Sequence, residues 1–175
     1  ALNRLRRITP SFMYTFSMIN CAIFPDTSNE LCVDMSGQSP ISIFERINGV
    51  SMKSYINSGV SFEEWLKVFV QILLNLDVAQ RLYRFNHNDL HTDNIMIRKH
   101  NTPITYHINS ETNTYTVRSN VIPVFIDFGY SSAYVYDTYL EGAEVSQAFP
   151  THFVTCYDMY LHIARCVSEF SYNPS

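Results

Sequence analysis

Long apolar runs are missing from this sequence. The richest stretch, from Trp65 to Leu76, is broken by Lys67, Gln71 and Asn75, so nothing reaches the ~20 apolar residues that a membrane-spanning helix needs. Cysteine is scarce: Cys21, Cys32, Cys156 and Cys166 form no Cys-x-x-Cys pair. That argues against a zinc site and leaves buried free thiols in a reducing compartment as the plain reading. Charge of one sign is scarce too. The net charge is -4 at pH 7 and the basic residues are scattered, which gives no electrostatic footprint for a nucleic acid or an anionic membrane. No repeat, low-complexity tract or Pro/Gly-rich linker divides the 175 residues, about the length of one domain. No methionine or signal-like segment opens the chain, which starts inside an apparent helix, Leu-Asn-Arg-Leu-Arg-Arg. The expectation is a fragment of something longer.

What is present is enough for a core: 46% of the residues are hydrophobic and 14% aromatic. Residues 11–24 read as a strand, Ser36-Gly37-Gln38-Ser39-Pro40 as a turn, and residues 41–44 as a second strand. Two strands alone do not make a stable sheet. Near residue 57 the composition changes from strand-like and turn-rich to helical, which places a lobe boundary between residues 1–56 and 57–175. Ser61-Phe62-Glu63-Glu64 is a capping box, because the Ser61 hydroxyl can accept from an orphan amide while Glu64 reaches back. Phe62, Trp65, Leu66, Phe69, Ile72, Leu73, Leu76, Ala79 and Leu82 then follow a helical period for about six turns, a core helix. Short strands follow at residues 94–98, 105–108, 115–117 and 121–126, with Asn101-Thr102-Pro103 and Ser110-Glu111-Thr112-Asn113 as turns.

Two places concentrate chemistry. The apolar run that starts at Val121 ends abruptly in Asp127-Phe128-Gly129. A polar residue at the end of a buried strand, followed by a glycine that permits a sharp turn, is where α+β enzymes often keep functional groups. The second place is Phe85-Asn86-His87-Asn88-Asp89-Leu90-His91-Thr92-Asp93-Asn94, lying between the long helix and a strand. Taken alone it reads equally as a solvated loop of Asn and Asp turns, and its histidines could by spacing be metal ligands.

The combination decides. His87-Asn88-Asp89-Leu90-His91-Thr92-Asp93-Asn94, followed by a strand, a hairpin and then Ile126-Asp127-Phe128-Gly129, resembles the catalytic loop and metal-binding turn of protein kinases. Residues 43–52, Ile-Phe-Glu-Arg-Ile-Asn-Gly-Val-Ser-Met, look like the fifth strand and hinge that join kinase lobes. The wording Asn-Asp-Leu-His-x-Asp-Asn, the strand-rich insertion before Ile-Pro-Val-Phe-Ile-Asp-Phe-Gly, and Leu-Asn-Arg-Leu-Arg-Arg-Ile-Thr-Pro resemble most the serine/threonine-kinase-like proteins of large double-stranded DNA viruses.

The resemblance implies an α+β, two-lobed, protein-kinase-like fold, incomplete at the small lobe and at the end of the large one. It implies that Asp89 accepts the substrate hydroxyl's proton, that Asn94 and Asp127 hold Mg²⁺, and that ATP is the co-substrate. It further implies that Phe44 guards the back of the adenine pocket and that the Glu45 carbonyl and Ile47 backbone bond the base. Met96 would lie beneath the base, with Ile126 beside it. His87, Phe128 and Gly129 would support the site. Asp158 would bind the catalytic-loop backbone, although it also reads as a helix N-terminal carboxylate favoured by the dipole.

Several departures bear on function. There is no Gly-x-Gly-x-x-Gly, and no lysine precedes Lys53, so neither the phosphate-covering loop nor the phosphate-gripping lysine lies in these residues. Asn88 stands where regulated kinases have arginine, which removes the usual basic pocket for a phosphorylated activation loop. His91 replaces the lysine that contacts the γ-phosphate in serine/threonine kinases, as in small-molecule and atypical kinases. Residues 130–150 hold no Ala-Pro-Glu, so peptide docking is unreadable. Three functions stand: an ATP- and Mg²⁺-dependent serine/threonine protein kinase, a pseudokinase or capsid-associated structural protein, and a small-molecule kinase. The expected location is the infected cell or the virion, with a protein substrate and other virion proteins as partners.

Overall fold

A computed structural model describes residues 1–20, 40–110, 112–141 and 152–172. Cys21, Cys32, the end of the strand read over residues 11–24 and the turn residues Ser36 to Ser39 lie outside these. The chain opens with helix α1 (Leu2–Ile8). Strands β1 (Thr15–Asn20) and β2 (Pro40–Phe44) pair antiparallel as a two-stranded sheet. Strands β3 (Gly49–Ser51), β4 (Ile95–Asn109) and β5 (Thr114–Phe125) form an antiparallel sheet in that spatial order. Strands β6 (Ser132–Val135) and β7 (Thr138–Glu141) make a separate hairpin. The helices are α2 (Met52–Asn57), α3 (Phe62–Tyr83) and α4 (Tyr157–Tyr172). This mixture of antiparallel sheets and helices is the α+β class that the sequence implies, in partial kinase-like form. Among the described residues no helix is long and apolar enough to cross a membrane. The composition change near residue 57 falls at the end of α2, whose Met52, Tyr55 and Ile56 are buried in the same cluster as α3.

Helix α3 begins as its sequence dictates. The Ser61 side chain accepts from the Glu64 amide at 3.2 Å, and Glu64 returns the bond to the Ser61 amide. Its buried face differs from the apolar list read from the sequence. Val68, Ile72, Leu76 and Ala79 are buried with the polar Gln71 and Asn75, while Phe62, Leu66 and Leu82 are exposed. The polar pair faces inward because each has partners there. Gln71 Nε2 donates to the Val121 carbonyl at 3.1 Å, and the Tyr106 hydroxyl donates to Gln71 Oε1 at 2.9 Å. The Thr9 hydroxyl donates to Asn75 Oδ1. Satisfied in this way, buried amides avoid the desolvation cost of about 1–3 kcal/mol per orphaned group, and α3 is fastened to the sheet and to the segment after α1.

The four short strands of the sequence reading are two long ones. Asn101-Thr102-Pro103 is not a turn: it lies within β4, where residues 100–103 face residue 120 alone between the pairs Lys99–Val121 and Ile104–Ser119. Proline has no N–H for the ladder, so the chain bulges there instead of reversing. The reversal comes at Ser110 and Asn113, whose backbones bond at 2.8 Å. The strand expected from residue 11 starts at Thr15, because Ser11 and Phe12 run beside β5 instead: the Phe125 amide donates to the Ser11 carbonyl at 2.8 Å.

The main core gathers Leu5, Phe12, Ile72, Leu76, Phe85 and Phe125, all at most 2% exposed. Each contributes about 1.5–3 kcal/mol of burial. Phe12 sits at its centre, edge-on to Phe85 and Phe125 at centroid distances of 5.9 and 5.1 Å. A smaller cluster of Met13, Ile122 and Val124 packs against Ile47, Met96, Ile126 and Phe128. This second cluster forms the floor of the site.

Candidate active site

The loop between α3 and β4 is held by bonds to its backbone and, at Thr92–Asn94, by one turn of 3-10 helix. Helix α3 ends at Arg84, which is left-handed at φ 42. Asn86 forms an antiparallel bridge with Ser132, their amides and carbonyls bonding at 2.9 and 2.8 Å. Its side-chain amide spans the Val154 backbone, donating and accepting at 2.9 Å. The two oxygens of Asp158 are divided between successive amides, accepting from the His87 N–H and the Asn88 N–H at 2.8 Å each. Asn88 takes the left-handed conformation at φ 66, which asparagine tolerates better than most residues. Its side-chain Nδ2 donates to the Tyr130 carbonyl at 2.8 Å.

His87 and Asp158 are both fully buried. Burial pushes the His87 imidazole down, so the ring is neutral, and its Nε2 at 2.9 Å from the Ile126 carbonyl is the atom that carries the proton. Burial also raises the Asp158 carboxyl, against the opposing pull of its N–H donors from His87, Asn88 and Asn86. Phe128 lies against His87 at 5.2 Å and against Phe85 at 6.2 Å, closing the same core.

These contacts present four polar residues. Asn94 Nδ2 donates to the Asp89 carbonyl at 2.9 Å and to Asp89 Oδ2 at 3.0 Å. His91 Nε2 lies 3.5 Å from the same Oδ2, and its Nδ1 accepts from the Asp93 amide at 3.2 Å. Asn94 is buried, whereas Asp89 and His91 are each about one third exposed. The Ile126 amide donates to the Asn94 carbonyl at 3.1 Å, so Asp127 follows directly on the strand end stitched to Asn94. Asp127 is exposed and left-handed at φ 59, an uncommon state for a non-glycine residue, and its Oδ1 accepts from the Gly129 amide at 3.4 Å.

Phe44, Glu45, Ile47, Met96 and Ile126 line one cleft of about 370 Å³ together with Met13 and Asp127. Met96 and Ile126 come from the β4–β5 hairpin and its exit, Phe44 from the end of β2, and Glu45 and Ile47 from the extended connection between β2 and β3. The Glu45 carboxylate points away to structural partners, Arg98 at 3.1 Å and Arg6 at 3.4 Å, and its amide donates to the Tyr14 carbonyl at 2.9 Å. Every residue singled out in the sequence therefore lies either at the Asp89–Asn94 pair, at the turn stitched to it, along the cleft, or in the buried support beneath.

The sequence reading gave no role to Met13, to Asn86, or to the α4 residues Tyr157, Leu161 and Arg165, which line a separate pocket with Asn88, Asp89 and His91. Met13 looked like ordinary strand, and only the bridge of the preceding Phe12 to β5 brings it to the cleft. Asn86 sits one residue before the recognisable pattern. Arg165 lies far from the loop in sequence, although its spacing of eight from Tyr157 puts both on one helix face.

A β-hairpin and a long helix that jointly fix an Asp–Asn loop and an Asp-Phe-Gly turn, at the mouth of a cleft under an extended connection, define a protein-kinase-like domain. Residues 45–164 match the Haspin like kinase domain, and the chain belongs to that family. It is similar to the "Probable kinase 098L" of Invertebrate iridescent virus 3, 32% identical over 129 residues that make up 71% of this chain and 24% of the relative. It is also similar to the "Uncharacterized protein 179R" of Invertebrate iridescent virus 6, 32% identical over 135 residues, or 74% of this chain and 11% of that protein. The chain thus spans a quarter or less of the length of these relatives. Both come from viruses of the kind that the sequence resemblance implies.

Proposed function

We propose that this domain transfers the γ-phosphoryl group of ATP to a serine or threonine hydroxyl of a protein, with Asp89 as the base. The observation that carries the reading is the Asp89–Asn94 pair. Its bond to Oδ2 leaves Asp89 Oδ1 to take the proton of an incoming hydroxyl and to aim that hydroxyl for in-line attack. With Nδ2 committed to Asp89, the free oxygen of Asn94 and the Asp127 carboxylate make an all-oxygen donor set of the kind Mg²⁺ accepts. Bound there, the ion would neutralise charge on the transferring phosphoryl group.

In this reading the apolar side chains of Met13, Met96 and Ile126 hold the adenine in the cleft, with Phe44 at its back. The Glu45 carbonyl and the Ile47 backbone meet the edge of the base. His91, whose Nε2 lies 3.5 Å from Asp89 Oδ2, donates to a phosphoryl oxygen. Asp158, His87, Phe128 and Gly129 keep the loop and the turn in register. The infected cell or the virion is the proposed location. His91 in place of a lysine supports a small-molecule acceptor as the second reading.

The test is phosphate transfer by the full-length protein to serine/threonine proteins and, in parallel, to small hydroxyl compounds. Wild-type transfer to protein, reduced about 10²-fold or more in Asp89→Asn, supports the proposal. Equal rates for wild type and Asp89→Asn would defeat it, and transfer only to small molecules would select the second reading.

A further inference from the structure

A second pocket of about 190 Å³ opens at Asp89. It is lined by Asn88, Asp89 and His91 from the loop and by Tyr157, Leu161 and Arg165 from α4. Among the described residues it shares no wall with the cleft of Phe44 and Met96. Tyr157, Leu161 and Arg165 recur at every fourth position and so form one ridge along the helix. The neighbouring Asp158, bonded to the His87 and Asn88 amides, turns that ridge toward the loop.

An acceptor hydroxyl must come within hydrogen-bond reach of Asp89 to lose its proton there. The chain carrying it therefore contacts the walls of the pocket that holds Asp89. One wall carries a permanent positive charge, the Arg165 guanidinium. Arg6, Arg81 and Arg98 are tied to Glu45, Asp77 and Glu45. Arg165 is exposed and has no ion-pair or hydrogen-bond partner among the described residues. A guanidinium on the wall of the pocket that holds the base is a ready fork for a carboxylate or a phosphate. Asp89 at the loop wall repels such a group, which biases it toward Arg165. The α4 wall of the pocket runs ~12 Å from Tyr157 to Arg165, so a hydroxyl at Asp89 and a side chain held by Arg165, both within that pocket, fall within about four residues of extended chain.

We propose that Arg165 is a specificity-determining residue that reads an anionic side chain within about four residues of the phosphorylated hydroxyl, so that the acceptor is an acidic protein segment. This rests on the phosphotransfer reading above and names the acceptor for the same site.

The experiment compares full-length wild type, Arg165→Ala and Arg165→Glu on matched serine/threonine peptides. These carry Glu, phosphoserine, Gln or Lys at positions up to four residues from the hydroxyl, and unfolding midpoints serve as the check on folding. The expected result is a tenfold or greater kcat/KM preference of the wild type for an anionic flank, carried by KM. Whichever of Glu and phosphoserine is preferred identifies the source of the anion. Arg165→Ala should erase the preference and Arg165→Glu should shift it toward Lys. Equal use of Glu and Lys flanks by the wild type, or a preference that survives in both variants, would overturn the assignment. ATP binding without transfer to any peptide would overturn it as well. Failure of Mg²⁺-dependent ATP binding itself would instead overturn the phosphotransfer reading.

Discussion

Asp158 is the residue on which the loop most depends. Its two oxygens accept from two successive amides in a fully buried setting, so replacing either oxygen with an NH₂ group sets donor against donor. Asp158→Asn should therefore lower the unfolding free energy by about 2–3 kcal/mol, read by denaturant melts, and should reduce phosphate transfer more than nucleotide binding. A variant as stable as wild type would show that these bonds contribute nothing net. His162 offers a second test. It is fully buried, stacks on Phe69 at 5.9 Å and lies 3.5 Å from the Cys166 sulfur, and burial holds its pKa down at about 4. A base held below its unfolded value near 6.5 keeps its full contribution above pH 6.5 and loses it as pH falls toward 4, by about 3 kcal/mol. The acid-side slope of stability should thus be shallower in His162→Leu, and the difference from wild type is the readout, because His87 is also held neutral by burial. Identical slopes would contradict it. Of these two residues only Asp158 was legible in the sequence, through the motif around it. Nothing in the local pattern of α4 marks His162 as buried.

At the scale of elements, legibility followed the range of the interactions. The start of α3 could be read from four residues because the capping box is a local bond. Its buried face could not, since Gln71 and Asn75 point inward only because Val121, Tyr106 and Thr9 wait there. The β4–β5 hairpin was misread for a similar reason: Asn101 and Pro103 have turn chemistry, yet pairing across the sheet on both sides of them keeps β4 continuous. Gly49 makes the close approach of β3 and β4 testable. A Cβ there would lie 2.3 Å from the Ile97 carbonyl oxygen, a backbone atom that cannot swing aside. Gly49→Ala should cost about 1–3 kcal/mol, and because β3 leads into α2 and borders the connection carrying Glu45 and Ile47, nucleotide affinity should fall with it. An unchanged melting midpoint would mean that β3 does not sit this close to β4.

For the whole molecule, one core serves two purposes. Phe12, Phe85 and Phe128 pack together beneath the loop and the Asp-Phe-Gly turn, so stability and site geometry share the same side chains. The kinase-like residues could be recognised before any coordinates because their types and order are set by chemistry. Most of the cleft wall was named from the resemblance as well, but Met13 and the α4 wall with Arg165 were not, because these reach the pockets only through the fold. The domain covers a quarter or less of its viral relatives, so the full-length protein is the object to assay. The most direct measurement is Mg²⁺-dependent ATP binding and phosphate transfer by that protein beside its Asp127→Ala variant. The account predicts that the variant stays folded, because Asp127 is exposed, and that it loses Mg²⁺-dependent turnover. Turnover equal to wild type in Asp127→Ala, or none in either protein, would contradict it.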